Sequence, residues 1–353
     1  MKKLERLLSM LDKDTDAILL TNKKNQYYIT GFEFDDGYVL ITRRKSYLLT
    51  DFRYIEAARE ESDPAFSVMT MQGSRREMFA SLLNENGVKR IAFEENYVSY
   101  KEKLAFDQLF EGFELVSSKG IMGRMRIIKD EDEIEKIITA QRIAEEALYH
   151  VLGFITPEKT EIEVALELEF YMRSHGAKAT SFDTIAVSGT NSSRPHGVPR
   201  NVKLEEGFLT MDFGALYKGY CSDMTRTVVV GKCTEEMRKV YNTVLEAQLA
   251  SLEAYAVGKT GSEVDAVARN IINKAGYEGC FGHGLGHGVG MDIHEAPGVG
   301  SRSDTPFEIG NVVTCEPGIY LEGRFGVRIE DMVVFYEDGA KDITSAPKNL
   351  IIL

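Results

Sequence analysis

The sequence predicts a two-domain α/β (α+β) chain, and three observations carry that expectation. Its 353 residues exceed what a single hydrophobic core usually serves, whereas two domains of ordinary size account for them. The first 120 residues alternate short apolar or β-branched runs with helix-like stretches joined by short connections. Further on, two segments of the form Thr-x-acid-x-Gly, Thr210–Gly214 and Thr314–Gly318, each run through a turn into a second strand.

Within the first part, Ala17–Leu20, Gly37–Thr42, Tyr47–Thr50 and Arg90–Phe93 read as strands, and Tyr54–Arg59 and Arg76–Asn84 as helices. This part contains no histidine and no catalytic constellation. The register changes around Ser117–Lys129, through a Ser-Ser-Lys-Gly stretch and a basic run of Arg124, Arg126 and Lys129, which places the domain boundary near residue 122. A long helix begins near Asp130, where Ile134, Ile137, Ile138, Ala144, Ala147, Leu148 and Val151 recur at helical spacing. Thr160 and Glu163 form a capping box for the next helix. Two more helices follow, near Thr234–Ala256 and Ser262–Lys274, each opened by a Thr or Ser cap.

Composition narrows the function. The chain is 43% hydrophobic and 27% charged, as soluble globular proteins are. Forty-two basic residues against 55 acidic ones leave a net charge of −13, which argues against a general binder of nucleic acid or anionic membrane. Residues 1–120 carry −2 of that and the remainder −11. No run approaches the roughly 18 apolar residues of a membrane span. The beginning of the chain reads as an amphipathic helix, because Asp12, Lys13, Asp14 and Asp16 interrupt any signal-peptide core. Cys221, Cys233, Cys280 and Cys315 form no CxxC pair or disulfide framework, so a reduced, cytoplasmic protein is expected.

The chemistry lies in the two hairpins. Asp212 and Asp223 are equidistant from the Tyr217–Lys218 link, so folding about that turn is expected to set them opposite each other. Glu316 and Glu330 are likewise equidistant from Gly323. Cross-strand partners have Cβ atoms about 5 Å apart, and like charges at that distance need a cation or a shared proton. Four carboxylates in a repeated arrangement, two of them inside apolar strands, therefore point to metal. Cys315 adjoins Glu316, but strand alternation turns it to the other face.

Four of the six histidines, His196, His283, His287 and His294, fall in the same region. Gly282–Gly290 has glycine at every second position, which makes a helix implausible and an extended segment the better fit. His283 and His287 then share a face. His150 and His175 lack such a context and read as ordinary helix residues. Four carboxylates with one imidazole make an oxygen-rich site suited to Mn, Co, Fe or Zn, and four negative charges balance two divalent ions.

Met211–Thr227, His283-Gly-Leu-Gly-His287, Asp292-Ile-His294-Glu, Cys315-Glu-Pro-Gly and Arg328-Ile-Glu330 together resemble the pita-bread metallopeptidases. The narrower resemblance is to the aminopeptidase P and prolidase group. Tyr27–Phe32 and Thr50–Tyr54 are similar to its creatinase-like accessory domain. The resemblance implies a creatinase-like N-terminal domain over residues 1–121 and a pita-bread catalytic domain over 122–353. It implies Asp212, Asp223, His287, Glu316 and Glu330 as ligands of two divalent ions, manganese foremost and Co, Zn or Fe as alternatives, with Asp223 and Glu330 bridging. It further implies His196, His283, His294, Tyr320 and Arg328 as substrate-binding residues. Glu316, His294 and His196 would carry the catalysis, the glutamate moving protons and the imidazoles holding the substrate and the developing oxyanion. The implied activity is hydrolysis of Xaa-Pro peptide bonds at a peptide's N-terminus, in a homodimer.

Xaa-Pro dipeptidase (prolidase) action stays open beside Xaa-Pro aminopeptidase action. A dipeptidase needs a cation for the substrate's C-terminal carboxylate, and Arg302, Arg324 and Arg328 are all candidates. A methionine aminopeptidase lacks reason for the 120-residue N-terminal part, and a non-catalytic binding protein lacks reason to keep all five ligands.

Overall fold

The computed structural model describes residues 3–353, so the expected N-terminal helix is seen as Lys3–Met10, and Met1 and Lys2 lie outside the described residues. The chain divides into two compact units, Met1–Met125 and Arg126–Leu353, with the change falling inside helix Ile121–Ile127.

In the first unit, a six-stranded mixed sheet runs in the spatial order Phe66–Thr70, Ser46–Thr50, Gly37–Thr42, Ala17–Leu20, Arg90–Phe93, Glu114–Ser117. Leu19, Leu40, Leu49 and Ile91 alternate onto one face and are buried with Phe79 and Phe106 from the helices Arg75–Glu85 and Tyr100–Leu109. Helix Lys23–Thr30, polar in sequence and not anticipated, is set by its ends. Asn22 caps its first turn by accepting from the Asn25 N–H, and Gly31 stops it in the left-handed region at φ 70°.

The second unit is built twice over. Helices Glu131–Phe154 and Glu161–Ser174 share one apolar core with Met211, Phe213 and Val228 of the first hairpin's strands. Helices Glu235–Ala254 and Gly261–Lys274 share another with Val313, Val333 and Phe335 of the second. Asp130 and Thr160 each complete a capping box, with Glu133 and Glu163. The last helix is capped by Thr260, with Glu263 closing the box, where the sequence had suggested Ser262. Pairing of Met224–Val230 with Gly207–Phe213, and of Asp331–Tyr336 with Val312–Cys315, makes the two hairpin frames that carry the acids.

Candidate metal and peptide site

Register decides where the carboxylates meet. In the first hairpin Asp212 pairs with Thr225, not with Asp223. The turn is centred one position later than the symmetry of the two aspartates suggested, because Lys218 (φ 44°) and Gly219 (φ 82°) both take positive φ and form a two-residue turn between Tyr217 and Tyr220. Asp223 thereby falls just beyond the long ladder and converges on Asp212 diagonally. In the second hairpin the ladders Gly318↔Arg328 and Cys315↔Asp331 share one register, which leaves Glu316 opposite Glu330 in the gap between them.

Asp223, His287 and Glu330 bring one donor atom each within 4.8 Å of one another. His287 Nε2 lies 3.5 Å from Asp223 Oδ2 and 3.4 Å from Glu316 Oε1. Asp212 lies on the same wall and is held by Arg328, whose Nη2 donates to its Oδ2 at 2.5 Å. The glycine-rich segment is extended, with Gly286–Gly288 as a strand beside Val312–Cys315. A Cβ on Gly286 would stand 2.2 Å from the Thr314 carbonyl oxygen, so glycine is what lets the His287 segment approach the strand leading to Glu316.

Burial raises Asp223 and Glu330 well above the ordinary carboxyl range, and the neighbouring carboxylates push in the same direction. Burial also lifts Glu316 to about 8, against the opposing pull of Arg328. The same burial lowers His287 to about 4, leaving a neutral imidazole with a lone pair to donate. Burial and mutual repulsion thus both work against the charged form of these carboxylates where no cation offsets them. Asp212 Oδ1 and Asp223 Oδ1 are buried with no hydrogen-bond donor in reach. Buried acceptors without donors, gathered around a neutral imidazole, fit a bound cation.

Above the cluster lies a cavity of 560 Å³. Asp212, Asp223, His287, Glu316 and Glu330 line it together with His196, His283, His294 and Arg328. Tyr320 is not among the lining residues. Its hydroxyl receives a hydrogen bond from Arg328 Nη1 at 2.8 Å and sits 2.9 Å from His283 Nε2, so it ties two lining residues together. His294 stands beside His287, ring centroids 4.3 Å apart. His150 and His175 lie elsewhere, both stacked on Tyr171.

Two threonines escaped sequence reading. Thr225 Oγ1 donates to Glu330 Oε2 at 2.6 Å, and Thr314 Oγ1 accepts from the His287 N–H at 3.1 Å and lies 3.3 Å from Glu316 Oε1. Each is two residues along the chain from a predicted ligand, Thr225 from Asp223 and Thr314 from Glu316, at the end of the strand next to it.

Comparison with known proteins decides the family. Residues 135–337 match metallopeptidase family M24, and residues 3–128 match the creatinase/prolidase N-terminal domain. The chain belongs to metallopeptidase family M24. Its architecture is the family's pita-bread domain preceded by a creatinase-type domain. A solved Xaa-Pro dipeptidase from Bacillus anthracis is 43% identical, with a TM-score of 0.96 over 100% of this chain and 99% of that one. An X-Pro aminopeptidase from Thermotoga maritima MSB8 is 37% identical, with a TM-score of 0.94 over 99% of this chain and 100% of the other. The Xaa-Pro dipeptidase of Pyrococcus horikoshii is 38% identical over 99% of both chains. M24 membership implies divalent metal, and the donor set described above fits it. No helix among the described residues is long and apolar enough to cross a membrane.

Proposed function

We propose that this M24 metallopeptidase is an exopeptidase that hydrolyses Xaa-Pro bonds at the N-terminus of peptides. The observation that carries the reading is the position of the five-residue donor set, Asp212, Asp223, His287, Glu316 and Glu330, on the wall of a cavity large enough for a short peptide. Divalent ions held there would lower the pKa of a water and polarise the scissile carbonyl. Glu316 takes the proton of the attacking water and returns it to the departing proline nitrogen. His196 and His294, both exposed on the cavity wall, hydrogen-bond the substrate and the oxygen that gains charge. Burial lowers His283 to about 4, so it meets substrate as a neutral ring, anchored by Tyr320.

Aminopeptidase action is supported by how the cavity's cation is used. Arg328 is the one guanidinium among the described lining residues, and it donates to Asp212, Tyr320, Pro195 and Thr225. Arg302 and Arg324 do not line the cavity, and Arg324 pairs with Glu236. Among the described residues lining the cavity, no uncommitted arginine thus waits for a dipeptide's carboxylate. The dipeptidase reading draws on the names of the Bacillus anthracis and Pyrococcus horikoshii relatives. Kinetics on Ala-Pro and Ala-Pro-Ala separate the two: kcat/KM at least tenfold higher for the tripeptide supports the aminopeptidase, and the reverse order supports the dipeptidase. Failure to cleave either peptide in the presence of Mn²⁺ overturns both.

Manganese as the resident ion, a homodimeric state and a cytoplasmic location belong to the same reading. The oxygen-rich donor set supports the first, the family resemblance the second, and the four free cysteines the third. Metal analysis of the purified protein and light scattering in solution test the first two.

A further inference from the structure

Behind the donor set, on the side away from the cavity, lies a buried charged assembly that the proposed chemistry does not use. Glu330 sits where strand pairing lapses: the last pair of one ladder is Cys315↔Asp331, and the first of the next is Gly318↔Arg328. Its backbone groups therefore need partners from elsewhere. The Glu330 N–H donates to the Thr225 carbonyl at 3.1 Å. The Glu330 carbonyl accepts from Arg226 Nη1 at 2.6 Å, and the same nitrogen donates to the Thr225 carbonyl at 2.8 Å.

Arg226 is fully engaged. Its Nη2 donates to Asp331 Oδ1 at 2.7 Å and to the Ala346 carbonyl at 2.9 Å, and its Nε donates to the Pro347 carbonyl at 2.9 Å. All five N–H donors of the guanidinium are thereby satisfied. Asp331, wholly buried, is held in turn by Gln248 Nε2 and by Lys348 Nζ at 3.1 Å. A planar fork with five fixed donors can lock a backbone in a way a flexible ammonium cannot.

We infer that Arg226, oriented by Asp331, is a positioning residue for the metal site: it fixes the backbone of Glu330 and of Thr225, whose hydroxyl holds the Glu330 carboxylate, in the gap between the two ladders. This rests on the functional reading above only in taking Glu330 as a metal ligand. Groups that orient ligands from behind typically change metal affinity 10–100-fold when removed.

The test is a Mn²⁺ binding isotherm on chelator-stripped protein, with no peptide present. Arg226→Lys keeps the charge but loses the fork, and should bind Mn²⁺ about 10–100-fold more weakly. Gln248→Met, a milder change that removes one donor from Asp331, should weaken binding in the same direction by less and keeps the test open if Arg226→Lys does not fold. Val240→Ala, a buried substitution in the helix Glu235–Ala254, controls for general destabilisation and should leave the isotherm unchanged. Saturating Mn²⁺ should restore kcat on Ala-Pro-Ala in both variants with KM unaltered. Folded variants with wild-type isotherms, or an equal loss in Val240→Ala, overturn the inference. A wild type that binds Mn²⁺ but leaves the peptide intact overturns the functional reading alone, and one that binds no Mn²⁺ overturns both.

Discussion

Arg328 Nη2 lies 2.5 Å from Asp212 Oδ2, an ion pair almost without exposure on the arginine side. The pair neutralises one of four crowded carboxylates before any cation arrives. Replacing Arg328 with Met leaves the largely buried Asp212 carboxylate without its counter-ion, and breaking a buried pair costs about 3–5 kcal/mol. The loss should be large in chelator-treated protein and smaller once Mn²⁺ is present. The gap between the two melting temperatures, measured by calorimetry, should therefore widen relative to wild type.

Glu316 provides a pH signature. Its carboxyl stands at about 8 in the folded metal-free protein against 4.5 ordinarily, so the folded state holds a proton that the unfolded chain releases. Stability contributed by this group is present in full below about 4.5 and is lost as pH rises toward about 8. Asp223 and Glu330, also raised, act in the same direction. Thermal melts of stripped protein should fall across that window, and the gain on adding Mn²⁺ should grow over the same range.

Glu316→Gln keeps the shape of the side chain and removes its basicity. Turnover of Ala-Pro-Ala should drop about 10²–10⁴-fold, the usual worth of a positioned acid–base group. Steady-state kinetics at saturating Mn²⁺ check it. Unchanged hydrolysis would remove Glu316 from the proton path.

Gly286→Ala places a methyl 2.2 Å from the Thr314 carbonyl oxygen. Backbone cannot yield as a side-chain tip can, so the strand carrying His287 must move away from the one leading to Glu316. Overpacking of this kind costs about 1–3 kcal/mol. A lower melting temperature together with weaker Mn²⁺ binding is expected.

How much of this was legible in the sequence depended on whether local pattern or tertiary register set the feature. The helices at Asp130, Thr160 and Thr234 were readable because cap and apolar stripe agree. Helix Lys23–Thr30 was not, since it lacks an apolar stripe and its ends rest on Asn22 and on the conformation of Gly31. Glu316 and Glu330 could be paired from spacing because Gly323 sits midway in a hairpin without irregularity. Spacing failed for Asp212 and Asp223, where positive φ at Lys218 and Gly219 moved the turn centre by one residue. Tyr320 and Arg328 could be assigned to the site region from motif alone. Their use of each other, rather than of open cavity, depends on three-dimensional packing. The roles of Thr225 and Arg226 were hidden for the same reason, since their partner Glu330 lies about a hundred residues away in sequence.

The most direct measurement is the Mn²⁺ content of the chain after saturation and dialysis, read alongside hydrolysis of Ala-Pro-Ala before and after chelation. The account predicts two ions per chain in the wild type, substantially less in Asp223→Asn and Glu330→Gln, and activity that vanishes with chelator and returns with metal. Full activity in protein shown to contain no divalent ion, or undiminished metal content in both variants, would contradict it.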